Sequence, residues 1–406
     1  MRRMSGHRPS SRIEAKSLLS GLISAASDND PTTVGTIAVA GATTLYALEW
    51  VLVLVVPMLA VVQMLASRLA AVTHLDLQSA IRRRYGAVVA SVTMIALVAV
   101  NIVTLGADLQ AGAAALNLIS GVAQWIWVVP IAVVLAALLS WGTFDRVRIV
   151  FALMPLAFLA YVAAAFVAHP NWGAVARGFI PHLEGGRRTS ATLLALFGTL
   201  LTAYAYLWQT VEVAADRPPR RKVLAIQLAS LPGVLFTFAI LWFILIATAA
   251  TLGVHHHQIE TAQDAAKALA PFAGRAAPIV FAVGLLGSSL LAVPVIAAAN
   301  SGAVAVTLGW GGSIDAKPKQ AKRYYAVLYA SLAIAAGICF AGVPTITLLY
   351  VASIAGGIAT PVTLAPLMLL VRDRSVMQNR RAPLWLAAAG WIVTAIVTAA
   401  AIASIV

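Results

Sequence analysis

Long apolar segments alternate with short polar stretches along the chain, from about residue 17 to the C-terminus. The hydrocarbon core of a bilayer is about 30 Å thick, so one helical crossing needs roughly 20 apolar residues. The pattern therefore predicts an all-α integral membrane protein with about eleven transmembrane helices. The predicted spans are 17–42, 45–70, 86–106, 123–141, 148–168, 190–215, 222–252, 276–308, 323–345, 347–371 and 384–405.

Composition and charge agree with this pattern. Hydrophobic residues make up 61% of the chain and charged residues only 10%, whereas a soluble domain carries about 25% charged residues. Of the 28 Lys and Arg residues, 23 fall on one side of the predicted membrane. The positive-inside rule then predicts a plasma-membrane protein with a cytoplasmic N-terminus and an outside C-terminus. The net charge of +14 thus reflects topology and contacts with lipid, and we expect no nucleic-acid partner.

The first predicted span is interrupted by polar residues. Asp28 and Asp30 precede Pro31, and Thr32 and Thr33 follow. Proline removes a backbone donor, and a carboxylate at membrane depth costs several kcal/mol unless it is paired. Since no Lys or Arg falls in the middle of a predicted span, a cation is the simplest partner. The alternative is that one acid caps the half-helix that restarts near Thr32.

The sixth predicted span is also unusual near its middle. Thr199 and Thr202 give one face two hydroxyls, and Gln209 and Glu212 repeat that spacing. Threonines in membrane helices often bond only to their own backbone, so packing is the alternative. Two broken helices at matching positions predict an inverted repeat of two five-helix halves. We expect one polytopic domain over 1–406: a cytoplasmic tail at 1–16, repeats at 17–168 and 190–371, and an additional helix at 384–405.

Several other polar positions need an interpretation. Glu49, near the outer end of span 2, is expected to be a solvated edge acid rather than part of a pathway. Asp108 is expected to cap a short outer helix, with an ion pathway as the alternative. Gly356-Gly357 in span 10 indicates either a packing kink or a moving helix. His255 to His257 on an outer loop form a poor metal site, because adjacent side chains point in different directions.

At these residues the chain resembles the Nramp family of divalent-metal transporters, from about Ser17 to Met377. The resemblance rests on the order of four pieces. They are Asp30-Pro31, the stretch 64–77 at the end of span 2, Ala115-Leu116-Asn117-Leu118, and the span 10 exit at 370–377. The resemblance implies a LeuT/APC-like inverted-repeat fold of 5+5 helices with helices 1 and 6 broken.

The departures from the family pattern concern the metal site. Thr32-Thr33 stand where the family has Gly-Asn, and Thr202 stands where it has a methionine. Tyr204 and Gln209 stand at the two span 6 histidines, and Leu105 and Asp108 stand at the two span 3 acids. The chain therefore resembles most the Nramp-related magnesium transporter branch, which carries magnesium and manganese without proton coupling.

The resemblance and the donor chemistry together predict an uptake transporter for partly hydrated Mg²⁺, and also Mn²⁺, working by alternating access. A thioether favours softer metals, so its loss favours magnesium, which usually keeps several waters. The expected metal residues are Asp30, Thr33, Thr202, Asp28 and Thr199. No cofactor or enzymatic activity is expected, the ion is the substrate, and a monomer is compatible with the sequence. The alternatives are a proton-coupled Mn²⁺/Fe²⁺ transporter, a sodium-coupled amino-acid symporter and an intramembrane hydrolase.

Overall fold

The computed structural model describes the greater part of the chain. The described residues are 29–142, 144–181, 187–217, 219, 223–229, 231–255, 258–310 and 316–405. Within these residues all regular structure is helical, and no strand is present. Short 3₁₀ or π turns extend or join several of the helices, and one of them, Met154–Leu159, continues the fifth helix into the sixth.

Eighteen α-helices follow one another along the described chain. They are α1 (Pro31–Thr44), α2 (Glu49–Thr73), α3 (Leu77–Ser120), α4 (Gln124–Ser140), α5 (Phe144–Leu153), α6 (Ala160–Val167), α7 (Trp172–Gly178), α8 (Arg187–Leu200), α9 (Ala203–Asp216), α10 (Val223–Ala229), α11 (Leu231–Thr248), α12 (Ala262–Ala266), α13 (Ala270–Ala273), α14 (Ala277–Leu308), α15 (Lys322–Ile338), α16 (Thr345–Leu370), α17 (Arg374–Met377) and α18 (Leu384–Ile405).

Each predicted span corresponds to a helix of the described chain, although residues 17–28 of the first span lie outside the described residues. Eight helical segments of the described chain are long and apolar enough to cross a membrane. The three other predicted spans correspond to shorter helices, namely α1, α4 and α15. The all-α membrane fold is therefore confirmed, and the predicted spans differ from the helices mainly at their ends.

The longest helical segment, α3, contains a sharp change of direction. Gly86 has φ 81° and ψ −177°, a conformation that glycine adopts readily and other residues avoid. The segment before Gly86, residues 77–85, therefore lies at an angle to the long span that follows. That span packs extensively against α14, where a Cβ atom on Gly112 would lie 2.4 Å from Ser289 Oγ.

Close packing also fixes the position of α1. A Cβ atom on Gly41 would lie 2.2 Å from Thr248 Oγ1 and 2.6 Å from the Leu245 carbonyl oxygen. The absence of a side chain thus lets α1 touch the backbone of α11. On another side α1 contacts α16 and α8, so the first interrupted span lies at the centre of the bundle.

Glu49 corrects one sequence prediction. Its side chain is fully buried at the start of α2, and Trp242 Nε1 donates to its Oε2 atom at 3.3 Å. The prediction of a solvated edge acid is wrong because the short turn after α1, in which Leu45 has φ 52°, returns the chain against α11. The turn is a tertiary feature that hydropathy does not report.

Candidate functional site at two interrupted helices

Asp30 is the buried carboxylate at the start of α1. It is 2% exposed, and its Oδ1 atom accepts a hydrogen bond from the Thr33 backbone N–H at 2.6 Å. This is an N-cap, in which an acid satisfies a donor that the first turn leaves open. Pro31 follows in the first turn, where its missing N–H costs nothing. Asp30 and Pro31 therefore start α1, and the Asp30 carboxylate lies at the interruption of the first predicted span.

The second break lies between α8 and α9. α8 ends at Leu200 and α9 begins after Thr202, which is half-buried and whose side chain caps no backbone N–H. The two breaks meet through two contacts. Thr33 Oγ1 lies 3.0 Å from Thr199 Oγ1 and also donates to the Thr199 carbonyl oxygen at 3.4 Å. The Tyr204 hydroxyl donates to Asp30 Oδ2 at 2.5 Å.

Most of the predicted metal residues therefore lie together. Asp30, Thr33 and Thr199 form a connected buried group, and Thr202 lies at the start of the helix that carries Tyr204. Asp28 lies outside the described residues. The predicted cap and the predicted carboxylate site are compatible, because one oxygen of Asp30 serves as the cap.

Asp108 belongs to the same region, which corrects the preferred interpretation of a cap. It lies inside α3 rather than at a helix end, and it is fully buried. Thr32 Oγ1 donates to its Oδ1 atom at 2.6 Å, and Asp108 Oδ2 has no hydrogen-bond partner within the described structure. The prediction failed because span 3 continues to Ser120, well beyond the expected end at residue 106.

α16 packs against both breaks. Thr36 Oγ1 lies 2.6 Å from Ser353 Oγ, which links α16 to α1. Thr360 Oγ1 donates at 3.3 Å to the carbonyl oxygen of Leu201, which lies in the second break. A Cβ atom on Gly198 would lie 1.9 Å from the Ser353 carbonyl oxygen. The glycines of α8 and α16 thus permit direct backbone contact, and α16 remains helical through Gly356-Gly357.

The remaining polar candidates lie away from the breaks. Gln209 Nε2 donates to Ser67 Oγ at 2.8 Å, which links α9 to α2. Trp208 Nε1 donates to Glu212 Oε1 at 3.0 Å within α9. His255 is exposed, and His256 and His257 are outside the described residues. None of these side chains has a hydrogen bond to the Asp30 group in the part of the chain that the structure describes.

The site offers oxygen atoms as ligands. Its groups are the Asp30 carboxylate, the Asp108 carboxylate, and the hydroxyls of Thr33 and Thr199, and Thr202 lies close to Thr199 in the chain at the start of α9. Within the described ranges, no three His, Cys, Asp or Glu side chains are grouped so that they could hold a metal. Oxygen donors suit hard cations such as Mg²⁺, Ca²⁺ and Mn²⁺. With so few charged ligands, a bound cation would keep part of its water shell.

Two contributors were not identified from the sequence as site residues. In the sequence Tyr204 is only a departure from the family pattern, and a helix cap is the preferred interpretation of Asp108. A usable signal existed for Asp108, which is the only charged residue between Leu105 and Ala115. Tyr204 is the second residue of the helix that follows the break, but no charge or proline in the sequence marks that break.

Two solved structures, both of transporters, have a fold similar to that of this chain. The crystal structure of the Eremococcus coleocola manganese transporter with an aromatic bis-isothiourea compound has a TM-score of 0.78 at 19% identity, covering 99% of this chain and 88% of that one. The nucleobase-cation-symport-1 family transporter Mhp1 has a TM-score of 0.62 at 13% identity, covering 96% and 90% of the two chains. At these identities the likeness establishes the fold, and it confirms the predicted fold class.

Sequence comparison identifies the family. The divalent metal cation transporter MntH of Xylella fastidiosa is 29% identical over 373 residues, covering 87% of this chain and 76% of the relative. The family model for natural resistance-associated macrophage protein-like (Nramp) proteins matches residues 21–406. That match spans nearly all of the chain and both interrupted helices. The chain therefore belongs to the Nramp family, whose members are transporters rather than enzymes.

Proposed function

We propose that this protein carries divalent metal ions across the plasma membrane, with Mg²⁺ and Mn²⁺ as its substrates. The observation that carries the proposal is the buried Asp30 carboxylate at the meeting point of two helix breaks. Intramembrane acids without a basic partner mark ion pathways. The relatives named as divalent metal cation and manganese transporters support the same class of substrate.

The choice of ion follows from the ligands. Thr202 lies in the break before α9 and Tyr204 in the first turn of α9, and neither supplies the thioether or imidazole that favours softer metals. Magnesium usually keeps several waters and binds through one or two carboxylates. Asp30 as the main ligand, with Thr33, Thr199 and Thr202 holding water around the ion, fits that preference, and we include Asp28 as an outer ligand.

Transport would proceed by alternating access around this site. We propose that residues 17–168 and 190–371 are the two inverted repeats, with the N-terminus in the cytoplasm and the C-terminus outside. The membrane potential contributes about 2.3 kcal/mol per charge per 100 mV. That force draws a divalent cation inward, so uptake needs no coupled proton.

Uptake by proteoliposomes tests the proposal. We expect the wild-type protein to take up Mg²⁺ and Mn²⁺ when the vesicle interior is made negative, and Asp30→Ala to abolish uptake. Asp76→Ala is the matched control, because Asp76 also caps a helix by accepting from a backbone N–H, that of Ser79, at 2.9 Å, but outside the break. Normal uptake by Asp30→Ala would remove the site assignment.

One observation favours a second candidate, a proton-coupled manganese transporter. Asp108 is a fully buried acid next to Thr32, and buried acids form proton relays. Acidification of the vesicle interior during Mn²⁺ uptake, lost in Asp108→Asn while Asp30 is intact, would support this candidate. Metal uptake without a change in internal pH would support the uncoupled mechanism.

A further inference from the structure

Both oxygen atoms of Asp30 already accept hydrogen bonds from the protein. The Thr33 N–H reaches Oδ1 at 2.6 Å and the Tyr204 hydroxyl reaches Oδ2 at 2.5 Å. Tyr204 is 5% exposed and belongs to the first turn of α9, so its ring is held by the helix that starts at the break. The phenol is therefore a built-in donor to Oδ2, the oxygen of Asp30 that the helix cap does not use.

The contact between Tyr204 and Asp30 affects how a cation can bind to the carboxylate. An ionised carboxylate has two oxygens with about four lone pairs, and the two protein donors use one on each oxygen. A chelating cation needs a suitably placed lone pair on both oxygens at once, so a hydroxyl fixed on Oδ2 in addition to the cap on Oδ1 disfavours chelation more than a single direct bond to an ion. Ca²⁺ takes 6–8 oxygen ligands and commonly uses a carboxylate in this chelating mode, whereas Mg²⁺ is octahedral and keeps its waters.

We propose that Tyr204 is a specificity-determining residue that disfavours Ca²⁺ by occupying Asp30 Oδ2. The proposal rests on the proposed function, and it adds the reason why the site would pass smaller octahedral cations. A hydrogen bond to a charged group contributes about 1.5–3 kcal/mol. Removing the donor should therefore improve the relative affinity for Ca²⁺ by about tenfold or more.

The test is competition in proteoliposomes, with Ca²⁺ added against Mg²⁺ and Mn²⁺ uptake. We expect Tyr204→Phe to lower the Ca²⁺ concentration for half-inhibition by about tenfold relative to the Mg²⁺ concentration for half-maximal uptake. Tyr206→Phe is the matched control. Tyr206 lies two residues further along α9, is also buried, and its hydroxyl pairs with Thr363 instead of a carboxylate. It should leave the Ca²⁺ inhibition unchanged.

Two results would overturn the proposal. An unchanged ratio of Ca²⁺ to Mg²⁺ inhibition in Tyr204→Phe would mean that the hydroxyl does not restrict chelation. A uniform loss of affinity for all three ions would mean that the hydroxyl oxygen is itself a ligand. Tyr204→Leu, which also lacks the hydroxyl donor, is a second variant for the same measurement if Tyr204→Phe does not fold. Absence of metal uptake by the wild-type protein is a different outcome, and it would contradict the proposed function itself.

Discussion

The two helix breaks are built differently although they meet at one site. The first break carries its own charge and its own cap, because Asp30 accepts from the Thr33 N–H three residues ahead. The second break has no charge, and the side chain of Thr202 caps no backbone N–H. Its Leu201 carbonyl is instead satisfied by Thr360 on α16, which is 159 residues distant in the chain.

The two breaks therefore differ in what produces them. The first break follows from local sequence, because an acid followed by proline both stops and restarts a helix. The second break depends on a partner helix that fits closely around Gly198. Removing the charge at the first break should therefore have the largest effect on the interaction with the ion, whereas substitutions in the contact between α16 and the second break should mainly change stability. The predictions below test this division, beginning with the largest effect.

Asp30→Asn should give the largest functional effect with little loss of stability. The amide oxygen can still accept from Thr33 N, so the cap remains, but the charge that attracts a divalent ion is gone. Two unit charges about 4 Å apart at an effective dielectric constant of about 20 interact by about 4 kcal/mol. We therefore expect the affinity for Mg²⁺ to fall by at least about 100-fold, measured by uptake at increasing ion concentration.

The thermal midpoint in detergent provides the control for this variant. It should stay close to that of the wild type for Asp30→Asn and decrease for Asp30→Ala, which also loses the cap, worth about 1 kcal/mol. If Asp30→Asn binds Mg²⁺ normally, the first break is only a structural cap and the comparison between the two breaks is wrong.

The first break could be predicted from sequence because its signals are local. Asp30 and Pro31 are adjacent, and an acid within an apolar segment is visible without knowing what surrounds it. The spans were predictable for the same reason, since hydropathy reports membrane crossings directly. The position of the second break near Thr202 could be expected only by analogy with the first, because no proline or charge marks it.

The contacts that complete the site could not be predicted. Thr32 and Asp108 are 76 residues apart, and Tyr204 and Asp30 are 174 residues apart. Such pairs meet because of the path of three helices through the bundle, which no local pattern encodes. Glu49 illustrates the same limit, since its burial against Trp242 results from the turn between two spans.

Gly198→Ala should give the largest loss of stability. Its Cβ atom would lie 1.9 Å from the Ser353 carbonyl oxygen and 2.2 Å from the Gly357 backbone nitrogen, so α8 and α16 would have to separate. Overpacking of this kind costs about 1–3 kcal/mol or more. Gly337→Ala is the control, since nothing lies within 4 Å of a Cβ atom there. An equal melting temperature for both variants would show that the second break does not depend on α16.

Thr360→Val should have a smaller effect on stability. The substitution keeps the shape of the side chain and removes the hydroxyl that donates to Leu201 O and to Gly356 O. We expect a loss of about 0.5–1.5 kcal/mol, measured by thermal unfolding. Thr394→Val is the matched control, because Thr394 is also buried but donates only within its own helix, to Gly390 O. Equal losses in both variants would mean that the bond to Leu201 contributes nothing.

Thr202→Ala should leave stability unchanged and alter ion binding slightly. Because the Thr202 side chain caps no backbone N–H, its loss should cost less than the cap of Thr261, which accepts from Asp264 N at 3.1 Å. Thr261→Ala is expected to cost about 1 kcal/mol. If the Thr202 hydroxyl holds a water of the ion, Thr202→Ala should raise the Mg²⁺ concentration for half-maximal uptake by about fivefold, equivalent to a hydrogen bond of about 1 kcal/mol. An unchanged value would limit the ligands to α1 and the end of α8, whereas a loss as large as that of Asp30→Asn would make the second break an equal partner in binding the ion.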